Sequence, residues 1–530
     1  MVYAIKLLLI VLIVGSAVAF ALRPVFANLF TPVQYKRAWL CVLLVTVPTF
    51  LSVRPELFCI TIALSTAIAA RYLGKGDLGN VNAFLLFLLV LPPVSYTLGG
   101  LDGLNYLLRL DPIRLMSLVL LTPSAVRLLF RRRARNEPAM RAVDFAIFLY
   151  QLWNIALVAR YAGLTTILRT VVESSCDVLI PYYVITRALR TPADLRNAGA
   201  YLAIGAVVMG SVACAESLIQ HNVYAGLQWV YGVRWESTVD LRRGGFLRVE
   251  SVTSQPIVLA FVLIFAISIW TWLKSDMPRT RWVPAAYLMF AFALLSTWSR
   301  GPWLGAALLA IAFLLQRWLS PRAFGLVVVG GLIAALTAKL AGADSVVMAG
   351  LQALFGNTTD DLSTITYRRE LLDASLALIQ QSPWLGVPDY EGALQSFRQG
   401  EGMIDIVNTY IVIMLDSGVL GLAMFLFPYA FVISKMLRAQ SMANLVSPSR
   451  NVVGKFAPAF IAMILAMLFT IFTTSSLGVM KYLLMLAVAL PVVWLKQAMV
   501  EAAVEDKGLG NEHGAHDAWA AGGLRGRRAY

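Results

Sequence analysis

Apolar runs of about 20 residues recur along almost the whole chain, divided by short polar connections. Coiled as a helix, each run is long enough to cross a hydrocarbon core of about 30 Å. The pattern predicts about fifteen spans, near 4–22, 38–54, 56–73, 83–100, 113–130, 142–161, 168–188, 198–216, 256–274, 282–298, 301–318, 322–341, 407–434, 456–476 and 478–497. The expected fold class is all-α, a polytopic membrane protein with about 14–15 transmembrane helices. The first run has the length of a signal-peptide core. No Ala-x-Ala-like site follows it and a basic connection does, so it reads as an anchor. Two stretches interrupt the rhythm, 217–255 and 342–406. In the second, Leu372, Leu376 and Ile379 follow helical spacing, which predicts a short amphipathic helix on the membrane surface, ended by Pro383 and Gly386. Farther on, Ser417 and Gly418 predict a kink in the span 407–434.

The runs divide the chain into N-terminal transmembrane helices (1–140), a central transmembrane region with the loop 217–255 and a turn at Arg300 (141–341), a large loop (342–406), C-terminal transmembrane helices (407–500) and a polar, Gly/Ala-rich tail (501–530) expected to be disordered and cytoplasmic. Composition agrees with a membrane class: 59% of the 530 residues are hydrophobic and 14% charged, against about 25% charged in a soluble protein. Cys41, Cys59, Cys176 and Cys214 are isolated inside apolar runs and suggest neither a disulfide nor a metal site. Of the three histidines, His513 and His516 lie in the tail, where HGAH reads as an incidental pair, and His221 lies in the loop 217–255.

Charge then orients the spans. The net charge of +15 would suit nucleic acid if it were clustered on one soluble face, but it is dealt out to alternate connections, so no nucleic-acid partner is expected. "RLLFRRRARNEPAMR" is the most basic connection and marks the cytoplasmic side. Alternation from there places Arg187, Arg190, Arg196, Lys274, Arg279, Arg281, Arg317, Arg322, Lys435, Arg438, Arg450 and Lys455 on the same side. It sends the loop 217–255, the Arg300 turn and the loop 342–406 together to the outer face. Those segments carry Arg234, Arg242, Arg243, Arg248, Arg300, Arg368, Arg369 and Arg398, where the positive-inside bias discourages them. For Arg234 and Arg398 a solvated loop position is explanation enough. Arg300, pressed between two spans in a minimal turn, asks for a function.

The outer segments offer one kind of chemistry. In "STWSRGPWLG", Ser299 or Gly301 can occupy a helix cap with Pro302 in the first turn, so Arg300 stands beside a positive dipole end, a compact site for phosphate. Trp298 and Trp303 read as an interfacial belt. In "LRRGGFLRVESVTSQPIVLA", Gly244 and Gly245 let the backbone bend and Arg242, Arg243 and Arg248 can converge on one anion. Glu250 either pairs with an arginine there or serves as a base. No P-loop, dinucleotide-binding glycine pattern, His-Glu-x-x-His or Cys/His metal spacing occurs in the sequence. An energised lipid therefore fits better than a nucleotide as donor.

"SRGPWLGAALL", Arg368 ahead of "LIQQSPWLGV", and "VNTYIVIMLDSGVLGL", in that order, resemble the bacterial O-antigen ligase and polymerase family, the Wzy-like polysaccharide polymerases. "RRGGFLRVESVTSQPIVLA" is similar to an arginine-glycine segment of exopolysaccharide polymerases. The resemblance covers roughly residues 140–500. It implies a metal-independent glycosyltransferase with a GT-C-like architecture and no cofactor, in the bacterial inner membrane with its active site facing the periplasm. It would act on oligosaccharides carried by undecaprenyl diphosphate among membrane lipids, with a chain-length regulator and a flippase as possible partners. Arg300, Arg368, Glu250 and Asp405 are then the catalytic candidates. Arg242, Arg243, Arg248, Arg369, Ser299, Asn408 and Trp384 are the substrate-binding candidates. O-antigen ligases carry a histidine near the position that Asn408 holds, and this chain has none between residues 222 and 512. That favours a polymerase and leaves Glu250, Asp389, Glu391, Glu401 and Asp405 as candidate bases. The alternatives are an O-antigen ligase acting on lipid A-core and, in another class, a lipid-linked oligosaccharide transporter. Paired repeats and ionisable residues at the bilayer midplane, which a transporter would show, are not evident.

Overall fold

A computed structural model describes residues 2–52, 54–92, 94–99, 106–130, 140–224, 241–340, 359–398, 404, 406–446, 453–475 and 478–498. Fourteen of the fifteen expected spans are helical there, most limits within about six residues of those predicted and helix Thr409–Val446 running well past its expected end at 434. Among the described residues, eight helices are long and apolar enough to cross a membrane, and three more are apolar but shorter. Local sequence starts many of them: Pro32, Pro55, Pro112, Pro192 and Pro256 each occupy a first helical position, where the missing N–H costs nothing. Reciprocal capping boxes close Thr31 with Gln34 and Thr191 with Asp194.

The expected span 83–100 is the exception. A helix runs over Gly76–Phe87 only, and after a turn at 88–90 the chain enters an antiparallel hairpin, Tyr96–Gly99 against Tyr106–Leu110. The apolar residues Val81 to Leu91 are buried inside the bundle rather than turned to lipid. Pro92 then removes an N–H donor and disfavours the helical region for the residue before it.

Helices Pro256–Leu273 and Met480–Ala498 form the centre of the bundle, with 83% of their residues buried, against 22% in Arg141–Val158 at the periphery. Peripheral helices turn Phe20, Phe130 and Trp318 outward, as lipid-facing surfaces do. Helix 192–219 packs closely on both the 76–87 and 282–296 helices. Two helices are interrupted by single π turns, Ser117–Leu121 and Ser175–Leu179. In the long loop the expected amphipathic helix is real but longer, Thr359–Gln381. Its buried stripe is Leu371, Ser375 and Ile379, one position round from the expected Leu372. The expectation that this face lies on the membrane surface is corrected: Leu394, Ile406, Ile411 and Leu415 cover it, making a small separate core.

Candidate functional site at one end of the bundle

The arginine-glycine segment folds as a two-by-two hairpin, Arg242–Arg243 against Phe246–Leu247. Gly244 and Gly245 have φ of 58° and 81°, with open space where a Cβ would stand. Two consecutive positive φ values make a primed two-residue turn, which is why glycines occupy it. The hairpin is moored from below. Glu216, fully buried at the end of helix 192–219, accepts N–H bonds from Val223 at 2.8 Å, Glu250 at 3.2 Å and Ser251 at 2.7 Å. Gln220, in a left-handed conformation, accepts the Leu247 N–H on its side chain and a bond from Arg242 on its carbonyl.

From this mooring two arginines reach the turn before Arg300. Arg243 donates to the carbonyl of Trp298 at 3.1 Å. Arg248 donates to the carbonyl of Thr297 at 3.2 Å and to the Ser299 hydroxyl at 3.1 Å. Phe246 stacks on Trp298 with ring centres 5.4 Å apart. The hairpin 242–247, Arg248 and the Arg300 turn thus form one unit. Arg248 is a strained cation: burial, and then the charges of Arg243 and Arg368, push its pKa down to about 10, with Glu250 opposing them. The same balance places Arg368, from the long loop, within electrostatic reach of Arg248.

The helix Arg300–Trp318 starts at this point with Ser299 as its cap residue. The Ser299 hydroxyl is spent on the Thr297 carbonyl and on Arg248 and does not cap this helix. Gly301 and Gly305 lie one turn apart, and a Cβ on either would stand 2.3 Å and 2.2 Å from the hydroxyls of Thr473 and Thr470. These glycines let the helix lie directly against helix Val453–Phe472. The next residue, Thr474, receives the second helix start: its carbonyl accepts from the Thr409 N–H at 3.2 Å and hydroxyl at 2.8 Å. Asn408 caps that helix, accepting from the N–H groups of Tyr410 and Ile411. The starts of the two helices therefore share the short seat 470–475. At the first of them, Arg243 and Arg248 bond the turn before half-buried Arg300, which makes a region suited to anions of high charge density.

A second meeting of loop and span lies about 20 Å along helix 359–381 from Arg368, at a rise of 1.5 Å per residue. The expected kink is at Gly418, with φ 67° and ψ −172°. The turn after helix 359–381 crosses it: Val387 N–H donates to the Leu415 carbonyl at 2.7 Å and Val419 N–H to the Pro383 carbonyl at 2.8 Å. Trp153 donates to the Ser417 carbonyl, and Arg160 donates to the carbonyls of Leu385 and Gly386. The backbone groups released by the break are thus satisfied by the loop.

The structure brings Arg243 and Arg248 onto the turn 297–299 that precedes Arg300, with Glu250 and Arg368 close enough for their charges to act on Arg248. Arg242 is exposed on the hairpin, and Arg369 is exposed beside Arg368. Trp384, 62% exposed, belongs to the crossing at Gly418. So do Asp389 and Glu391; Glu391 and Asp416, together with burial, raise the pKa of the Tyr390 hydroxyl. Asp405, Glu401 and Arg234 lie outside the described residues. Glu250 is 2% exposed, and its electrostatic tie to Arg248 accords with pairing better than with a solvent-facing base. Sequence reasoning missed Glu216 and the threonine seat. His221, in the loop 217–255 as read from the sequence, follows Gln220 at the foot of the hairpin. A carboxylate inside an apolar run was the available signal for Glu216; threonines in a span give none.

Residues 284–426 match the family model for O-antigen ligase, consistent with a Wzy-like family. The match takes in the Arg300 turn, the loop with Arg368 and the broken span, while the hairpin and the threonine seat lie outside it. No curated protein matches the chain.

Proposed function

We propose that this protein polymerises undecaprenyl-diphosphate-linked oligosaccharide repeat units into an extracellular polysaccharide or O-antigen, by metal-independent glycosyl transfer at the periplasmic face of the inner membrane. The observation that carries the reading is the anchoring of Arg243 and Arg248 on the turn that starts the Arg300 helix, with the charge of Arg368 felt at Arg248. Breaking a glycosyl–diphosphate bond leaves a diphosphate whose negative charge must be stabilised. Arginine suits this because its planar fork binds two phosphate oxygens and stays protonated. Fixed donors and helix dipoles supply that stabilisation without rearranging during the reaction. Arg300 holds the leaving diphosphate, with Arg248 behind it fixing the turn. A polymerase seats two lipid diphosphates, donor and acceptor, which accounts for the number of arginines at one end.

One observation favours the ligase as second reading: the matched family model is described as O-antigen ligase, and His221 stands beside the hairpin. Purified protein given the lipid-linked repeat unit alone distinguishes them. A polymerase lengthens it, and product that appears only with lipid A-core identifies a ligase. Arg300→Ala, inserted normally, is expected to lower turnover by about 10²–10³ and shorten the chain-length distribution. Unaltered polymer overturns the role of Arg300.

A further inference from the structure

A second group of charges lies inside the bundle, beyond the arginine site. The Asp177 carboxylate, 7% exposed, takes both arms of Arg114 at 3.0 and 2.8 Å, the Tyr482 hydroxyl at 2.7 Å and the Lys481 ammonium. Arg114 also bonds Glu173 at 2.9 Å and the carbonyl of Arg109, and its own N–H is capped by Asp111. Asp177 is inside the π turn 175–179, and Arg114 lies just before the π turn 117–121. Such turns re-aim side chains within a helix and recur at functional positions. Lys481 and Tyr482 open the last helix, close in sequence to Thr473 and Thr474, on which the Arg300 and Thr409 helices are seated.

We infer that Asp177 and Lys481 are positioning residues: they fix the start of the last helix, a few residues after Thr473 and Thr474, against the N-terminal helices and so set where the starts of the Arg300 and Thr409 helices stand. Stability alone does not account for them. A well-packed apolar set often holds a bundle as firmly as buried ions do, while ions demand one geometry. The Asp177 carboxylate, with four donors from three side chains on two elements, leaves the last helix one register against its neighbours. The assignment of a reaction to the site rests on the function proposed above; the positioning itself does not.

Lys481→Met is the informative variant. Its side chain is 39% exposed, and Asp177 keeps Arg114 and Tyr482, so no buried charge is left alone. Hydrogen exchange of the purified protein in lipid nanodiscs is expected to quicken by about tenfold or more at amides 303–305 and 409–412. Amides in the middle of helix 256–273 stay protected, and Lys481→Arg restores the slow exchange. Turnover on a lipid-linked repeat unit is expected to fall by up to about 10²-fold with KM little changed. Unchanged exchange at both helix starts, or a rise spread evenly through the bundle, overturns the positioning role. Altered exchange in a protein whose wild type transfers no sugar leaves the positioning role standing and refutes the proposed activity.

Discussion

At the scale of the residue, Arg248 shows a site made for something it does not itself supply. Its pKa is pushed down to about 10 by burial and by Arg243 and Arg368, below the ordinary value of about 12.5. Because the folded form holds its proton less tightly than the unfolded chain, the cation costs stability. The cost is fully present below about pH 10 and shrinks as pH rises toward the unfolded value. Arg248→Met removes this cost but leaves buried Glu250 facing one cation fewer and the Thr297 carbonyl without its donor, so it is expected to weaken diphosphate binding without raising the ligand-free melting temperature at pH 7. Retained binding contradicts this account. Arginine in a short outer segment was legible in the sequence because the positive-inside bias makes it conspicuous. The neutral acceptors that aim it, the carbonyl of Thr297 and the hydroxyl of Ser299, were not, since they depend on how the turn folds.

At the scale of the element, apolar length alone located fourteen helices, because crossing lipid requires every backbone group to be satisfied within the segment. It failed at 83–100, where a run just as apolar passes through protein and Pro92 follows it. The kink at Gly418 was legible from Ser-Gly inside a span; that a loop would cross there was not. A Cβ at Gly418 would stand 2.2 Å from the carbonyl of Trp384, in a backbone region open almost only to glycine at a cost of about 1–3 kcal/mol for other residues. Gly418→Ala is expected to expel the turn 383–387, seen as proteolytic cleavage of the loop 382–398 and a lower melting temperature. Gly15→Ala, a position with open space around it, is the control and leaves both unchanged. Continued protection in Gly418→Ala argues against the crossing as the anchor of the loop.

At the scale of the whole molecule, the charge map and the packing were reached independently and coincide. The map gathers three segments on one face, and the hydrogen bonds from Arg243 and Arg248, with the reach of Arg368, join them. The two ends of helix 256–273 give a direct test. Leu241→Cys, before the helix, is expected to react with a membrane-impermeant maleimide on intact cells, and Lys274→Cys, after it, only once the membrane is opened. The reverse pattern turns the protein over and removes the periplasmic assignment. Long-range partners were beyond sequence reasoning: Asp177 meets Lys481 across more than half the chain, and only folding brings them together.

The crossing at Gly418 also imposes an order on biogenesis. The turn 383–387 leaves the ribosome before the span it crosses, so for a time it has nowhere to dock. When that span enters the bilayer, the Leu415 carbonyl and the Val419 N–H have no helical partner and face hydrocarbon until the turn returns to meet them. The backbone of this helix is thus completed by a segment of the chain made earlier.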